Sequence, residues 1–171
     1  MDRLSVIKGF LIVVLLGFGT ASYGQSHSQT LTNLQAGAII EIPLTITKDM
    51  DLNFGSVVPG STPGTITVSA SASGSRTSTG GASILSQGTF SSACFSVTGG
   101  IGASYSITLP NSVTLSGPGS NTMTVTGFSE NSTNTIKSNG TDTFYIGATL
   151  NVGAQQAKGT YTGSFNVSVN Y

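Results

Sequence analysis

The segment Thr160-Tyr161-Thr162-Gly163-Ser164-Phe165-Asn166-Val167-Ser168-Val169-Asn170-Tyr171 carries the cleanest alternation in the chain. Tyr161, Phe165, Val167, Val169 and Tyr171 fall on one side of a period-two chain. Thr160, Thr162, Ser164, Asn166, Ser168 and Asn170 fall on the other. Successive side chains of a strand point to opposite faces, so the pattern reads as a core strand with one face in water. Gly163 interrupts the apolar side and marks a bulge.

The same texture recurs upstream. Short alternating segments are expected at 65–70, 82–86, 93–98, 104–109, 113–115, 122–128 and 143–152. Turn signals such as Gly80-Gly81, Gly99-Gly100, Pro110-Asn111 and Asn139-Gly140 separate them. Short strands at this spacing predict an all-β sandwich or barrel. Residues 76–81 read as the most loop-like interior stretch. Nearer the N-terminus, Ile40, Ile42, Leu44 and Ile46 alternate with Glu41, Pro43 and Thr45. That pattern predicts a strand over 39–46. Pro43 cannot donate a ladder hydrogen bond, which puts this strand at an edge or a bulge.

The first residues carry an export pattern. Arg3 and Lys8 precede an apolar run from Phe10 to Phe18, and small or polar residues follow to Gly24. A basic start, a short apolar middle and a small-residue exit describe a secretory signal peptide. The run is too short for a spanning helix, which needs about 20 apolar residues. The expected organisation is a signal peptide at 1–24, a polar arm at 25–38 and a single β-sandwich domain at 39–171. The membrane enters only through export, and the destination is the periplasm, the cell surface or the extracellular space.

Charge narrows the partners. Only 7% of the residues are charged, against about 25% in ordinary domains. Beyond residue 24 there are Lys48, Arg76, Lys137 and Lys158 against Glu41, Asp49, Asp51, Glu130 and Asp142. Nucleic acid is not an expected partner, because phosphate binding needs clustered Lys or Arg. Cys94 is the only cysteine. It can form no intrachain disulfide and reads as a small buried hydrophobe.

The inventory of reactive groups argues against an enzyme. The single histidine, His27, lies in the arm, where no imidazole is held for general-base work. Asp49 and Asp51 lie two apart near Glu41, but they read as turn residues rather than a glycosidase pair. Asp49-x-Asp51-x-Asn53 opens like a calcium loop. The glycine needed at its sixth position is Phe54, and the closing glutamate is Gly60, so the match fails. One cysteine and one histidine cannot make a zinc site. The glycine-rich segment 73–81 lacks the lysine of a phosphate loop. No catalytic residue, cofactor site or metal site is expected.

Two segments carry a family resemblance. One is Asp51-Leu52-Asn53-Phe54-Gly55 after the Ile/Pro-rich strand, and the other is the ending from Gly159 to Tyr171. With Thr79-Gly80-Gly81 and Ala148-Thr149-Leu150-Asn151-Val152 between them, the chain resembles a family of exported bacterial proteins known only as a domain of unknown function. More distantly, the same first and last motifs resemble the spore coat U and archaic chaperone–usher pilin subunits. That resemblance implies an immunoglobulin-like antiparallel β-sandwich, incomplete in each subunit and completed by the N-terminal strand of a neighbour. Such subunits commonly carry a cysteine pair, and here Cys94 stands alone.

The expected function is therefore non-enzymatic: a structural or adhesive surface protein, pilin-like, that assembles into fibres by strand addition. Ile40, Ile42, Leu44 and Ile46 are the expected self-assembly strand. The expected partners are other copies or a pilin-type chaperone and usher. The alternative is a small outer-membrane β-barrel, suggested by Phe165-x-Val167-x-Val169-x-Tyr171 ending on an aromatic residue. Against it, the chain has no tryptophan, and most segments fall short of the 9–11 residues of a spanning strand.

Overall fold

A twelve-residue strand runs through the middle of the molecule, and its sequence shows why. In Thr141-Asp142-Thr143-Phe144-Tyr145-Ile146-Gly147-Ala148-Thr149-Leu150-Asn151-Val152 every second residue is buried, from Asp142 to Val152. The computed structural model of the protein describes residues 35–171. The expected signal peptide and most of the arm, with His27, lie outside the described residues.

The strands in chain order are β1 Thr45–Met50, β2 Val57–Val58, β3 Gly64–Val68, β4 Arg76–Gly80, β5 Ser83–Ile84, β6 Ala93–Thr98, β7 Ser106–Thr108, β8 Ser112–Ser116, β9 Thr122–Glu130, β10 Thr141–Val152 and β11 Ser168–Asn170. All pairings between them are antiparallel. The first half of β10 pairs with β6, which pairs in turn with β1. The second half pairs with both β3 and β9, so these two lie on its opposite edges. β4 extends the sheet beyond β3, and β8 extends it beyond β9. Among the described strands no ladder joins β4 or β8 to β1, so the seven-stranded sheet stays open.

Two small sheets, β7 with β11 and β2 with β5, supply the facing layer. The fold is all-β, as the alternation predicts, with the layered character of a β-sandwich. β10 divides the core in two. Phe144 and Ile146 join Phe95, Val97, Tyr105 and Ile136, with Phe95 and Phe144 stacked at 5.6 Å. Ala148, Leu150 and Val152 join Phe54, Ile66, Val68 and Val125. Each fully buried side chain of this size contributes about 1.5–3 kcal/mol.

Three segments differ from the sequence expectation. Residues 76–81 are not a loop: β4 occupies 76–80 and pairs along β3 from Gly64↔Gly80 to Val68↔Arg76. Its alternation is of hydroxyls rather than apolar residues, so no hydrophobic period marks it. The N-terminal strand begins at Thr45 rather than at residue 39, and residues 39–44 join no ladder. The terminal segment alternates in burial as its sequence does, yet only Ser168–Asn170 is paired, with β7. Its upper part touches β8 once, where Thr162 and Ser116 exchange two backbone hydrogen bonds of 3.0 and 2.8 Å. Gly163 packs there against Thr114 and Leu115 where a Cβ would collide.

Candidate functional site

A groove of about 690 Å³ lies on the core side of the seven-stranded sheet. Residues 51–59 form one rim and residues 158–165 the other. Its floor is apolar, with Val113, Leu115, Met123, Val125, Phe128 and Leu150. The floor follows directly from sheet register, since β8, β9 and β10 each point every second residue inward.

The first rim is held by a local clasp. Asn53 and Ser91 exchange backbone hydrogen bonds of 2.9 Å each way. The Asn53 Oδ1 accepts the Gly55 N–H at 2.8 Å, while Phe54 drops into the core at 8% exposure. Arg76 then reaches in from β4. Its Nη1 donates to the Phe54 carbonyl at 2.7 Å and its Nη2 to the Leu85 carbonyl at 2.7 Å. The guanidinium also lies 4.8 Å from the centre of the Phe90 ring. A rigid fork of donors suits two carbonyls from different segments.

The second rim is open. Tyr161 donates to the Ala157 carbonyl at 2.7 Å and accepts from Gln156 Nε2 at 2.9 Å, which fixes its start. Beyond the Thr162–Ser116 bridge, the main chain of residues 163–167 makes no hydrogen bond to any described residue. Phe165 packs against Phe128 at 5.1 Å between ring centres. The groove therefore pairs an apolar floor with a length of extended backbone whose donors and acceptors have no partner among the described residues. Such an edge is a template for another strand.

The four residues of the expected assembly strand divide into two pairs. Ile40 and Ile42 are exposed, at 96% and 60%, and Ile39 beside them at 88%. Leu44 and Ile46 instead pack on the core around Phe144 of their own chain. The Tyr171 hydroxyl donates to the Ile42 carbonyl at 2.6 Å and accepts from the Gly100 N–H at 3.2 Å, which pins the chain where the two pairs meet. In the C-terminal set, Phe165, Val167 and Val169 pack on the same core, Tyr161 lines the groove and Tyr171 is half exposed.

The remaining candidates are structural. Asp49 accepts a hydrogen bond of 2.6 Å from Ser96, and Asp51 pairs with Lys48 at 2.7 Å, both at the surface. Cys94 is buried on the sheet face opposite the core, beside Tyr145, and burial pushes its thiol up. Among the described residues no three His, Cys, Asp or Glu side chains converge as metal ligands.

One buried cluster carries no sequence motif. Asp142 is fully buried. Its Oδ2 accepts from Tyr105 at 2.8 Å and from Ser132 at 2.9 Å, and Lys137 Nζ lies 2.7 Å from its Oδ1. Burial works to raise this carboxyl, but Lys137 and the two hydroxyls outweigh it and hold it below the usual range. Burial is also the main reason the Tyr105 hydroxyl is pushed up to about 12. The signal in the sequence is the phase of β10, whose inward register reaches back to residue 142.

A family model described as a domain of unknown function, DUF4402, matches residues 44–171. No curated protein and no solved structure matches the chain.

Proposed function

We propose that this chain, which belongs to the DUF4402 family, is an exported, non-enzymatic structural or adhesive protein whose copies join by strand addition. The exposed segment ending at Ile42 of one copy enters the groove of the next. There it pairs with the unbonded backbone of residues 163–167. Main-chain hydrogen bonds supply affinity and alternate side chains supply register. The segment has the sequence for it: Leu34, Ala36, Ala38, Ile40 and Ile42 recur at period two. A contact from the end of one copy to the groove of the next does not close on itself, so it builds a filament.

The observation that carries this reading is the groove with its open backbone rim, set in a chain that also exposes Ile39, Ile40 and Ile42, the last two in one register. Isoleucines 88% and 96% exposed, with Ile42 beside them, form a contiguous apolar stretch of the kind that marks an interaction site. The family match beginning at residue 44 supports the same division, because it leaves this segment outside the matched residues. The basic and apolar start of the sequence supports export to the periplasm or beyond.

A labelled peptide of residues 34–42, titrated into the chain shortened to begin at Pro43, tests it. Saturable binding that Leu115→Arg abolishes is the expected result. A peptide that fails to bind, or binds the Leu115→Arg chain equally, sinks the reading.

A further inference from the structure

The face of the sheet that points away from the core carries a second regularity. In β3, β4, β8, β9 and β10 a hydroxyl-x-hydroxyl or hydroxyl-x-amide triplet sits in register. One cross-strand rank runs Thr114, Thr124, Asn151, Thr65, Thr79. The next runs Ser112, Thr126, Thr149, Thr67, Thr77. The residues between them, Val113, Val125, Leu150 and Ile66, turn to the core. Ten adjacent outward positions thus hold eight threonines, one serine and one asparagine, with no charge and no aromatic ring. Strand geometry spaces these groups by about 4.8 Å across the sheet and about 6.7 Å along it.

Two features make this face suited to close contact with a partner. The hydroxyls already bond one another across strands, Thr65 with Thr79 at 2.7 Å and Thr67 with Thr149 at 2.9 Å. Asn151 Nδ2 donates to Thr126 at 2.9 Å. A hydroxyl that keeps one partner loses less when water leaves. The first rank also borders a shallow hollow of about 530 Å³, into which Thr65, Thr79, Thr124, Asn151 and Gln156 face. The hollow mixes methyl groups, hydroxyls and two planar amides, and holds no ionisable group among its lining residues.

The geometry points to this face as a binding surface for a neutral, hydroxyl-rich polysaccharide, with the Asn151–Gln156 hollow as its seat. Donors and acceptors alternate on both sides of such a contact, and the threonine methyls meet the C–H faces of the sugar rings. An acidic or basic polymer finds no counter-charge here. The assignment does not depend on strand addition, because the ten-residue face lies across the sheet from the groove floor; Gln156 alone among the seat's polar side chains borders both.

The test is depletion of the mature full-length chain by microcrystalline cellulose, chitin and starch granules, each at low and at molar salt. Retention on at least one of them, unchanged by salt, is expected, since no ion pair is screened. Thr79→Val with Thr124→Val removes two exposed hydroxyls and keeps strand-forming residues. This pair should lower apparent affinity about tenfold or more while thermal unfolding stays put. Thr108→Val, on the facing layer, should change nothing. No retention on any of the three solids overturns the assignment, as does salt-sensitive retention or retention indifferent to Thr79→Val with Thr124→Val. If those substitutions alter only self-association in sedimentation, the face belongs to a second copy and the polysaccharide assignment fails.

Discussion

Gly55 lies directly under the guanidinium of Arg76, and a Cβ at Gly55 would overlap the Arg76 Nη1. Gly55 also has φ of +70°, in the left-handed region that a side chain makes costly. The Asn53-Phe54-Gly55 motif therefore has a physical account. Asn53 caps the turn, Phe54 fills the core and offers its carbonyl, and Gly55 leaves room for the arginine that binds that carbonyl. This clasp fixes one rim of the groove.

Gly55→Ala should destabilise the fold by about 2–3 kcal/mol, from backbone strain and displacement of Arg76. Arg76→Lys keeps the charge but cannot bond two carbonyls at once, and should cost about 1–2 kcal/mol. Urea unfolding followed by circular dichroism measures both. Gly55→Ala added to Arg76→Ala should cost less than the two separate losses combined, because the displaced group is already gone.

Asp142 makes stability depend on pH from both ends. Its folded carboxyl lies below the ordinary 3.8, so its contribution is present above that value and is lost as pH falls through the folded one. Tyr105 works in the opposite direction. Its hydroxyl is raised from 10.0 to about 12, so its contribution is present below pH 10 and lost as pH rises toward 12. Asp142→Asn should cost about 3 kcal/mol and flatten the acid limb. Tyr105→Phe should cost about 1–2 kcal/mol and flatten the alkaline limb. Unfolding midpoints across the pH range would show whether each limb responds to its own substitution.

How far the sequence could be read follows from where apolar residues alternate. Ala93–Thr98 was legible to the residue because Ala93, Phe95 and Val97 all face the core. β4 was not, because Thr77 and Thr79 alternate with Ser78 and no side chain in it distinguishes a strand from a polar loop. Residues 39–46 look uniform in sequence, yet only Leu44 and Ile46 find a core. Which part of a uniform stripe is buried depends on where β6 ends, and that is tertiary information. Asp142 was readable in principle from the phase of β10, but the partners that make its burial tolerable come from separate segments, at Tyr105, Ser132 and Lys137.

The C-terminal alternation gives a paired test. Val167 packs against the core around Phe144, whereas Ser168 is exposed. Val167→Asp should destabilise the fold by about 1–3 kcal/mol, because it removes apolar contact at a half-buried position. Ser168→Asp should cost under about 1 kcal/mol. Equal shifts in a denaturant melt would show that the faces are misassigned.

Export makes a prediction that needs no folding data. N-terminal sequencing of protein recovered outside the cytoplasm should begin at or near Gln25. An intact Met1 on that material would contradict removal of the leader.

Strand addition itself is tested most directly by sedimentation of the mature chain, beginning at Gln25, beside the same chain shortened to begin at Pro43. The shortened chain retains Leu44, Ile46 and β1, so it loses the proposed donor but none of the two core clusters. Strand addition predicts a concentration-dependent ladder of species for the mature chain, filaments from it in electron micrographs, and a single monomeric boundary for the shortened one. A mature chain that sediments as one monomeric species at every concentration, or a shortened chain that assembles equally well, would contradict it.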